Sequence, residues 1–289
     1  MKILVTGHRG FTGRYVQLEL ELAGHTVVGL GCDLLDAAAL QAEVHQLQPE
    51  AVIHLAAIAF VAHGDIQQVY DVNIVGSRNL LAALAGSCPN VQSVVLASSA
   101  NIYGNQSGLL SEQAVPSPVN DYAVSKLAME YMAATWSGQL PITVARPFNY
   151  TGLGQSANFL IPKIVNHFRE RKSVIELGNI DVARDFSDVR DVARCYRMLV
   201  EGAGGGVYNI ASGCATSLEQ ILGICSELCG HAIRVVVNPN FVRSNEIKKL
   251  AGDNARLVES FAYMPNFSLK DTLSDMLLRT EQKIGCKRQ

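Results

Sequence analysis

Short apolar runs alternate with amphipathic stretches along the first half of the chain. The runs lie at 2–6, 25–30, 51–56, 91–98 and 141–145, and apolar residues recur with helical spacing between them. Within the runs the apolar residues are largely successive instead of alternating, which is typical of strands buried on both faces. Such strands form a parallel sheet between two layers of helices, so the pattern predicts an α/β, doubly wound fold.

The helices predicted between these strands have recognisable ends. They lie at 12–23, 36–48, 65–85 and 121–136. Gly24 ends the first helix, Asp36 is suited to cap the second, and Pro49 closes it.

After residue 149 the predicted elements become shorter and the polar loops between them longer. Helices are predicted at 158–171, 192–201, 217–228 and 269–278, and strands at 174–177, 207–210 and 234–237. We interpret residues 1–150 as the sheet domain, with a strand and a helix contributed from about 185–215. Residues 151–289 would form mainly a smaller C-terminal lobe that closes over the carboxyl ends of the strands.

Composition and charge exclude several classes of protein. The chain is 48% hydrophobic and 17% charged, which argues against disorder. Its 24 basic and 26 acidic residues give a net charge of −2, so we expect neither a nucleic-acid partner nor an anionic membrane partner. The apolar stretch 51–62 is too short to span a bilayer, and no signal-peptide core follows Lys2. Seven scattered cysteines without a C-x-x-C pair predict a cytoplasmic protein with no metal site.

A glycine-rich turn follows the first predicted strand and opens the first helix. Gly7, Gly10 and Gly13 have the spacing G-x-x-G-x-x-G, with Phe11 and Thr12 between the last two. In a Rossmann fold the first glycine makes the tight turn, the second lets backbone approach a pyrophosphate, and the third lets helix pack on strand. The helix N-terminus then meets the phosphates. The turn therefore predicts a dinucleotide cofactor.

The choice between the two nicotinamide cofactors depends on the second strand. It ends at 28–31 without a carboxylate, which would otherwise bind a free ribose 2′-hydroxyl. Asp33 lies about twenty residues beyond the glycines, but it leads directly into the next helix. Arg9 lies in the glycine turn, where a guanidinium can pair with a 2′-phosphate. These positions favour NADP(H) and leave NAD(H) open.

Hydroxyl groups and a Tyr–Lys pair supply candidate chemistry. Ser98 and Ser99 end the fourth predicted strand, and Tyr122 and Lys126 stand four apart on one face of a helix. A nearby ammonium, helped by the cationic nicotinamide when the cofactor is oxidised, is expected to lower the phenol pKa towards the working range for acid–base catalysis. Ser99 would bind the same carbonyl oxygen that Tyr122 protonates.

Taken together, these motifs resemble the extended short-chain dehydrogenase/reductases, the NAD-dependent epimerase/dehydratase family, which act on nucleotide sugars. The resemblance extends to H-L-A-A at 54–57, S-A-N-I-Y-G at 99–104 and R-P-F-N at 146–149. It implies a catalytic triad of Ser99, Tyr122 and Lys126. It implies a cofactor site lined by Gly7, Arg9, Gly10, Phe11, Thr12, Gly13, Asp33, Leu34, Leu55, Ala56, Ala57, Tyr122, Lys126 and Pro147. The turn at 7–10 is also similar to that of GDP-fucose synthases, whose arginine meets the NADP 2′-phosphate.

The second half resembles the branch of GDP-mannose 4,6-dehydratases and GDP-6-deoxy-4-keto-sugar reductases, through the segments 178–186 and 243–247. This resemblance implies a GDP-linked 4-keto-6-deoxy sugar as substrate. Lys163 and Arg184 would clamp its diphosphate, and Arg243 with Glu246 would hold the phosphate, ribose or base edge. The substrate site would also include Ser99, Asn101 and Asn149.

Two positions separate dehydration from reduction within that branch. The similar dehydratases carry an acid pair or Ser-Glu directly after the catalytic hydroxyl, whereas this chain has Ala100 and Asn101. Neither side chain exchanges a proton usefully, so we expect reduction of the 4-keto group to GDP-rhamnose or GDP-6-deoxytalose. A nucleotide-sugar 4-epimerase, a GDP-6-deoxy-heptose 4-keto reductase and a non-enzymatic dinucleotide sensor remain open.

The family resemblance also implies a homodimer formed through a four-helix bundle. Apolar residues that could form it are Leu127, Met129, Tyr131 and Met132 on helix 121–136, and 80–84 on helix 65–85. The alternative is that these side chains face the sheet.

Overall fold

A computed structural model describes residues 1–59, 65–202, 205–242 and 248–279. The strands are β1 (Lys2–Thr6), β2 (Thr26–Gly29), β3 (Ala51–His54), β4 (Ser93–Ala97), β5 (Gly108–Leu110), β6 (Ile142–Pro147), β7 (Asn149–Thr151), β8 (Val174–Leu177), β9 (Ala183–Asp188), β10 (Gly206–Ile210), β11 (Ala215–Ser217), β12 (Arg234–Val237) and β13 (Lys249–Gly252). The α-helices are α1 (Phe11–Leu22), α2 (Ala37–Leu47), α3 (Ile66–Tyr70), α4 (Ser77–Ser87), α5 (Asp121–Ala134), α6 (Leu160–Arg169), α7 (Val189–Gly202), α8 (Leu218–Cys229), α9 (Ala255–Phe261) and α10 (Leu269–Leu278).

Six strands form one parallel sheet in the order β10-β6-β4-β3-β1-β2. Helices α1 and α7 pack on one face, and α2, α4 and α5 pack on the other. The central residues of β1 and β3, such as Leu4 and Ile53, are fully buried, as expected for strands covered on both faces. The predicted doubly wound α/β fold is therefore confirmed.

Strand register aligns the loops that carry the predicted chemistry. Thr6 pairs with His54, and His54 pairs with Leu96, so the carboxyl ends of β1, β3 and β4 lie side by side. The glycine turn, the segment 55–57 and Ser99 all follow these strand ends. Most of the candidate residues therefore lie together at the carboxyl ends of the strands of the large sheet.

The second half forms smaller sheets and a second core. Strands β11-β9-β13-β5 make one small sheet, and β8 pairs with β12. Helices α6, α8 and α10 pack with β8 and β12 around a separate apolar cluster. Strand β10 and helix α7, both within the 185–215 region, join the large sheet instead. The domain boundary at residue 150 stays a prediction.

The helix predicted at 65–85 is interrupted. Asp71–Gly76 is a π-helical segment between α3 and α4. It contains Asn73, which is fully buried and whose amide exchanges hydrogen bonds with the backbone N–H and C=O of Ile58 at 2.9 and 3.1 Å. The wider turn thereby brings an amide side chain against the loop after β3, which apolar periodicity could not reveal.

The residues on which a helical bundle was predicted mostly face the sheet. Leu80, Leu81 and Leu84 are fully buried and Met129 almost so, all in the core under α2, α4 and α5. Tyr131 is 65% exposed. Leu80, Leu81 and Leu84 are therefore not available to such a bundle, because their side chains complete the core of the large sheet.

No helix in the described part of the chain is both long and apolar enough to cross a lipid bilayer.

Candidate active site

The glycine turn leaves no room for side chains at two of its three glycines. A Cβ on Gly7, whose φ is +70°, would lie 2.9 Å from the backbone nitrogen of Ala56. A Cβ on Gly13 would lie 2.2 Å from the carbonyl oxygen of Gly7. At Gly10 the same oxygen would be 3.2 Å away, and the Gly10 N–H donates to it at 2.9 Å. The turn is therefore closed tightly onto β1, β3 and helix α1.

The N-terminus of α1 is suited to an anionic group. Gly10 stands at the N-cap position without a side-chain cap, and the first turn of α1 carries no acidic residue. The first amide groups of a helix lack intrahelical partners and attract phosphates. The tight glycine turn and the uncapped helix therefore fit the pyrophosphate of a dinucleotide.

Phe11 and Thr12 connect this helix to the segment after β6. The Phe11 ring stacks on the Tyr150 ring with centroids 6.2 Å apart, and Thr12 Oγ1 lies 2.9 Å from the Tyr150 hydroxyl. These contacts fix the start of α1 against β7.

A buried hydrogen-bond chain joins the strand ends beside the turn. The Ala56 N–H donates to Thr6 Oγ1 at 3.1 Å, which lies 2.7 Å from His54 Nδ1. On the other side of the ring, His54 Nε2 lies 2.9 Å from Ser77 Oγ, whose proton goes to the Asn73 carbonyl. His54 Nε2 must therefore carry the hydrogen and Nδ1 must accept. Burial, and then the charge of Lys126, lower the pKa of His54 to about 3, so the ring is neutral.

The three predicted catalytic residues meet at the carboxyl end of β4. Asn120 caps α5 through Ala123 N–H at 2.8 Å, so Tyr122 lies in the first turn and Lys126 one turn later. The Tyr122 and Ser99 side chains are hydrogen-bonded. Lys126 Nζ donates to the Ala97 carbonyl at 2.8 Å. The helix thus presents both groups to the strand end that carries Ser99.

Asn101 determines which way the Ser99 hydroxyl points. Its backbone N–H and its amide Nδ2 both donate to Ser99 Oγ at 3.1 Å. Because Ser99 Oγ already accepts two hydrogen bonds, its own proton is directed to Tyr122. The Tyr122 proton is then not used in this hydrogen bond and is available to another acceptor. The sequence indicated Asn101 as a substrate contact and as a position without the dehydratase acid, but not as a partner of Ser99.

The expected lowering of the tyrosine pKa does not occur in the protein by itself. Burial raises the pKa of Tyr122 to about 12, although the hydrogen bond from Ser99 opposes the rise. Burial also lowers the pKa of Lys126 to about 8, while the charge of Glu130 raises it. Desolvation of the phenol is the largest effect on its pKa in the protein without cofactor, so a lowering would have to come with the bound, oxidised nicotinamide.

A buried ion pair links helix α5 to strand β6. Arg146 donates to the two Glu130 oxygens at 3.0 and 2.6 Å, and Ser98 donates to the same carboxylate. Arg146 also donates to the Tyr103 hydroxyl at 3.0 Å. Side chains of Glu130 and Arg146 are each 8% exposed. Sequence reasoning missed Glu130, although its position four residues after Lys126 on the same helix face was a usable signal.

The residues predicted for the adenosine side lie at two strand ends. The Leu55 N–H donates to the Thr6 carbonyl at 3.3 Å. Ala56 and Ala57 follow Leu55 in the loop after β3. Leu34 is 7% exposed in the core, and the exposed Asp33 accepts from Leu35 N–H at 2.9 Å. The Asp33 carboxylate is therefore engaged in its own turn.

Pro147 ends β6 beside Ile210 of β10, on the catalytic side of the sheet. Asn149 is exposed at the start of β7, and Arg9 is exposed in the glycine turn.

The predicted diphosphate clamp belongs to the smaller lobe. Lys163 Nζ donates to the Glu176 carbonyl at 2.8 Å and lies 4.7 Å from the centroid of the Phe241 ring. Arg184 is half-buried in β9. Arg243 and Glu246 lie outside the described residues. Within the described ranges, no three His, Cys, Asp or Glu residues are grouped so that they could hold a metal ion.

Comparison with known proteins identifies the family. Residues 3–211 match the model of the NAD dependent epimerase/dehydratase family. The chain belongs to this family. It is an extended short-chain dehydrogenase/reductase. Its relatives also support the assignment of this protein as an NAD(P)-dependent oxidoreductase.

Two curated relatives span most of the chain. A GDP-6-deoxy-D-talose 4-dehydrogenase of Aggregatibacter actinomycetemcomitans is 37% identical over 89% of this chain and 90% of its own length. A GDP-6-deoxy-D-mannose reductase of Pseudomonas aeruginosa is 33% identical over 98% of each chain.

Solved structures show the same fold. A Burkholderia cenocepacia protein provisionally described as an epimerase has a TM-score of 0.91 and 46% identity, covering 96% of both chains. The structure of RMD from Pseudomonas aeruginosa complexed with NADPH has a TM-score of 0.86 and 32% identity, again over 96% of both chains. Others in the family are complexed with NAD.

Proposed function

We propose that this protein reduces the 4-keto group of a GDP-6-deoxy-4-keto-hexose with NAD(P)H, giving GDP-rhamnose or GDP-6-deoxytalose. The proposal rests on one observation: Ser99, Tyr122 and Lys126 lie together, and the two residues after Ser99 are Ala100 and Asn101, neither of which is a carboxylate. The names of the two curated relatives support a GDP-linked 6-deoxy sugar. Because no acid follows Ser99, removal of the sugar C5 proton has no base at this position.

A bound reduced nicotinamide would supply a hydride to C4 of the sugar. Tyr122 then gives its proton to the C4 oxygen, and the two transfers convert the ketone to an alcohol. A phenol whose pKa is raised to about 12 is protonated at neutral pH, so it is ready to act as the acid. Ser99 stabilises the phenolate that remains, because its hydroxyl already points at the Tyr122 oxygen.

Lys126 restores the proton in this scheme. Its pKa of about 8 is well below that of Tyr122, so proton transfer from the ammonium to the phenolate is favourable. The Ala97 carbonyl holds the ammonium in place, and Glu130 favours its charged form. Solvent then reprotonates the amine.

In the smaller lobe, Lys163 and Arg184 supply cations for the diphosphate, with Arg243 and Glu246 as further substrate contacts. Lys163 would exchange its hydrogen bond to a backbone carbonyl for a stronger, charge-assisted one to a phosphate. Asn149 and Asn101 would face the sugar from the large sheet.

NADP(H) is our preferred cofactor. Strand β2 carries no acid of its own at its end, and Arg9 supplies a cation in the turn beside it. The NADPH complex of the Pseudomonas structure supports this choice, although NAD accompanies other relatives.

We further propose a homodimer, which keeps Tyr131 from the sequence-based argument and otherwise rests on other residues. Ile66, Val75, Val124 and Tyr131 are 39–65% exposed and lie on the neighbouring segments α3, 71–76 and α5. Two copies of these three helical segments would bury the side chains in a two-fold interface. Sedimentation at micromolar concentration should show twice the chain mass of 31.2 kDa; a monomer there contradicts the dimer.

The reaction is tested with the ketosugar that a separate dehydratase makes from GDP-mannose. Adding it to the purified protein should oxidise NADPH stoichiometrically, and the product should carry a C4 hydroxyl. No oxidation of either NADPH or NADH would overturn the proposal. Dehydration of GDP-mannose by this protein alone would show that Ala100 and Asn101 have been misinterpreted.

A further inference from the structure

The structure brings a carboxylate to the end of β2 that the strand itself lacks. Glu43, on α2, accepts from the Gly31 N–H at 2.7 Å through Oε1 and from the Cys32 N–H at 2.9 Å through Oε2. The last residue of β2 is Gly29, so these amides lie two and three positions beyond the strand. Both carboxylate oxygens are thus fixed to successive backbone groups at its tip.

The Glu43 carboxylate is ionised at neutral pH. Partial burial alone would raise its pKa, but hydrogen bonds from the Cys32 thiol and from the two backbone N–H groups lower it below the ordinary value. Burial, together with Glu43, raises the pKa of Cys32 to about 11, so the thiol keeps its proton and remains a donor. Since an ionised carboxylate offers about four lone-pair sites, capacity remains for a ligand hydroxyl.

The same tip lies beside the glycine turn. Val5 of β1 pairs with Gly29 of β2, and the turn begins two residues after Val5. A Cβ on Gly29 would lie 2.2–2.5 Å from ring atoms of His8, so the imidazole lies directly over the last residue of β2. A dinucleotide bound across the turn places its adenosine ribose at this strand end.

We propose that Glu43 is a specificity-determining residue for the adenosine ribose, where it accepts from a free 2′-hydroxyl and opposes a 2′-phosphate. The inference rests on the proposed nicotinamide dinucleotide function and deepens it. Two effects act together: the carboxylate repels a second anion, and it occupies the Gly31 and Cys32 N–H groups that a phosphate would otherwise use. Arg9 acts in the opposite sense, so the preference of this chain for NADPH is smaller than Arg9 alone would give.

Binding of cofactor fragments tests the proposal without turnover. The dissociation constants of 2′,5′-ADP, which carries the 2′-phosphate, and 5′-ADP, which carries the free hydroxyl, are measured by calorimetry on the intact protein. Glu43→Gln should shift the ratio of the two constants by about tenfold or more towards 2′,5′-ADP, or about 1.4 kcal/mol. Glu43→Asp keeps the charge and should stay nearer the wild-type ratio.

Glu50 offers a matched control. Its carboxylate also accepts a backbone N–H, that of Lys2 at 2.6 Å, but at the opposite end of β1. Glu50→Gln should therefore leave the ratio unchanged.

An unchanged ratio in Glu43→Gln, or equal weakening of both fragments, would overturn the assignment, since Glu43 would then only hold its loop. Wild-type protein that binds neither fragment and oxidises neither cofactor would overturn the proposed function and this inference with it.

Discussion

The two ends of the proposed cofactor site, the nicotinamide end beside Tyr122 and the adenosine end beside β2, are built differently. At the proposed nicotinamide end, Lys126, Glu130 and Arg146 are almost completely buried and share hydrogen bonds or charge with one another and with the backbone. At the proposed adenosine end, Glu43 is half-buried and Arg9 is exposed. Removing one partner of a buried charge pair is costly, whereas exposed charges contribute little to stability. We therefore expect substitutions beneath the Tyr122–Lys126 pair to lower stability as well as activity, and substitutions at Arg9 or Glu43 to change cofactor preference at a smaller cost in stability.

The largest effect should come from the buried end. Tyr122→Phe removes the only proton that our scheme gives to the C4 oxygen, so kcat should fall by about 10²–10⁴-fold. The dissociation constant of NADPH should stay nearly constant, because the phenyl ring is retained. Tyr208→Phe is the control, because Tyr208 lies on the edge strand β10, away from Tyr122 in the sequence. This variant should keep wild-type turnover. Equal turnover in Tyr122→Phe and the wild type would remove Tyr122 from the mechanism.

A stability measurement tests the ion pair. Glu130→Ala leaves the Arg146 charge buried without its partner, and should lower the free energy of unfolding by about 3–5 kcal/mol in urea titrations. The exposed pair of Lys248 and Asp181 is the control, since both side chains are more than 80% exposed. Asp181→Ala should change stability little. Similar losses in the two variants would contradict the contrast between the two ends.

The pH dependence of reduction should report Lys126. Below a pKa of about 8 the ammonium is charged and can reprotonate Tyr122; above it, the amine is neutral and cannot. We expect kcat to fall about tenfold per pH unit on the alkaline side. Lys126→Arg keeps its charge and should move this limb to higher pH. A rate that stays flat to pH 10 would exclude Lys126 as the proton source.

The smallest effect is expected at Arg9. Arg9→Ala should lower the ratio of kcat/KM for NADPH over NADH by about tenfold, because a charge-assisted hydrogen bond contributes roughly 1.5–3 kcal/mol. Turnover with NADH should hardly change. Arg171→Ala, at an exposed position two residues beyond the end of α6, is the control. A loss of activity with both cofactors would assign Arg9 to the pyrophosphate instead.

The first half of the fold was predictable because its signals are local. The Asp36 cap is confirmed by its hydrogen bond from Ala39 N–H at 3.0 Å, and Tyr122 and Lys126 fall on one helix as their spacing indicates. Strands β5, β9 and β13 were missed because they pair with segments distant in the sequence. Strand β5 also has only three residues, too few for a visible period.

Charge states and cross-element contacts were also hidden from the sequence. The pKa of Tyr122 depends on desolvation, and desolvation depends on how completely α5 packs onto β4. The Glu43 carboxylate reaches the end of β2 only because α2 packs beside it. The sequence correctly indicated that β2 has no acidic residue at its end. It did not reveal that Glu43 of α2 brings a carboxylate to that end.

Isotope transfer from the cofactor tests whether the protein delivers a hydride to C4 of the sugar. NADPH deuterated at the transferred C4 position is mixed with the 4-keto sugar and the protein, and the product is examined by NMR. We predict one deuterium at C4 of a GDP-linked 6-deoxyhexose, with one NADPH oxidised for each sugar reduced. Deuterium at another carbon, or a change of sugar without net oxidation of the cofactor as in an epimerase, would contradict the account.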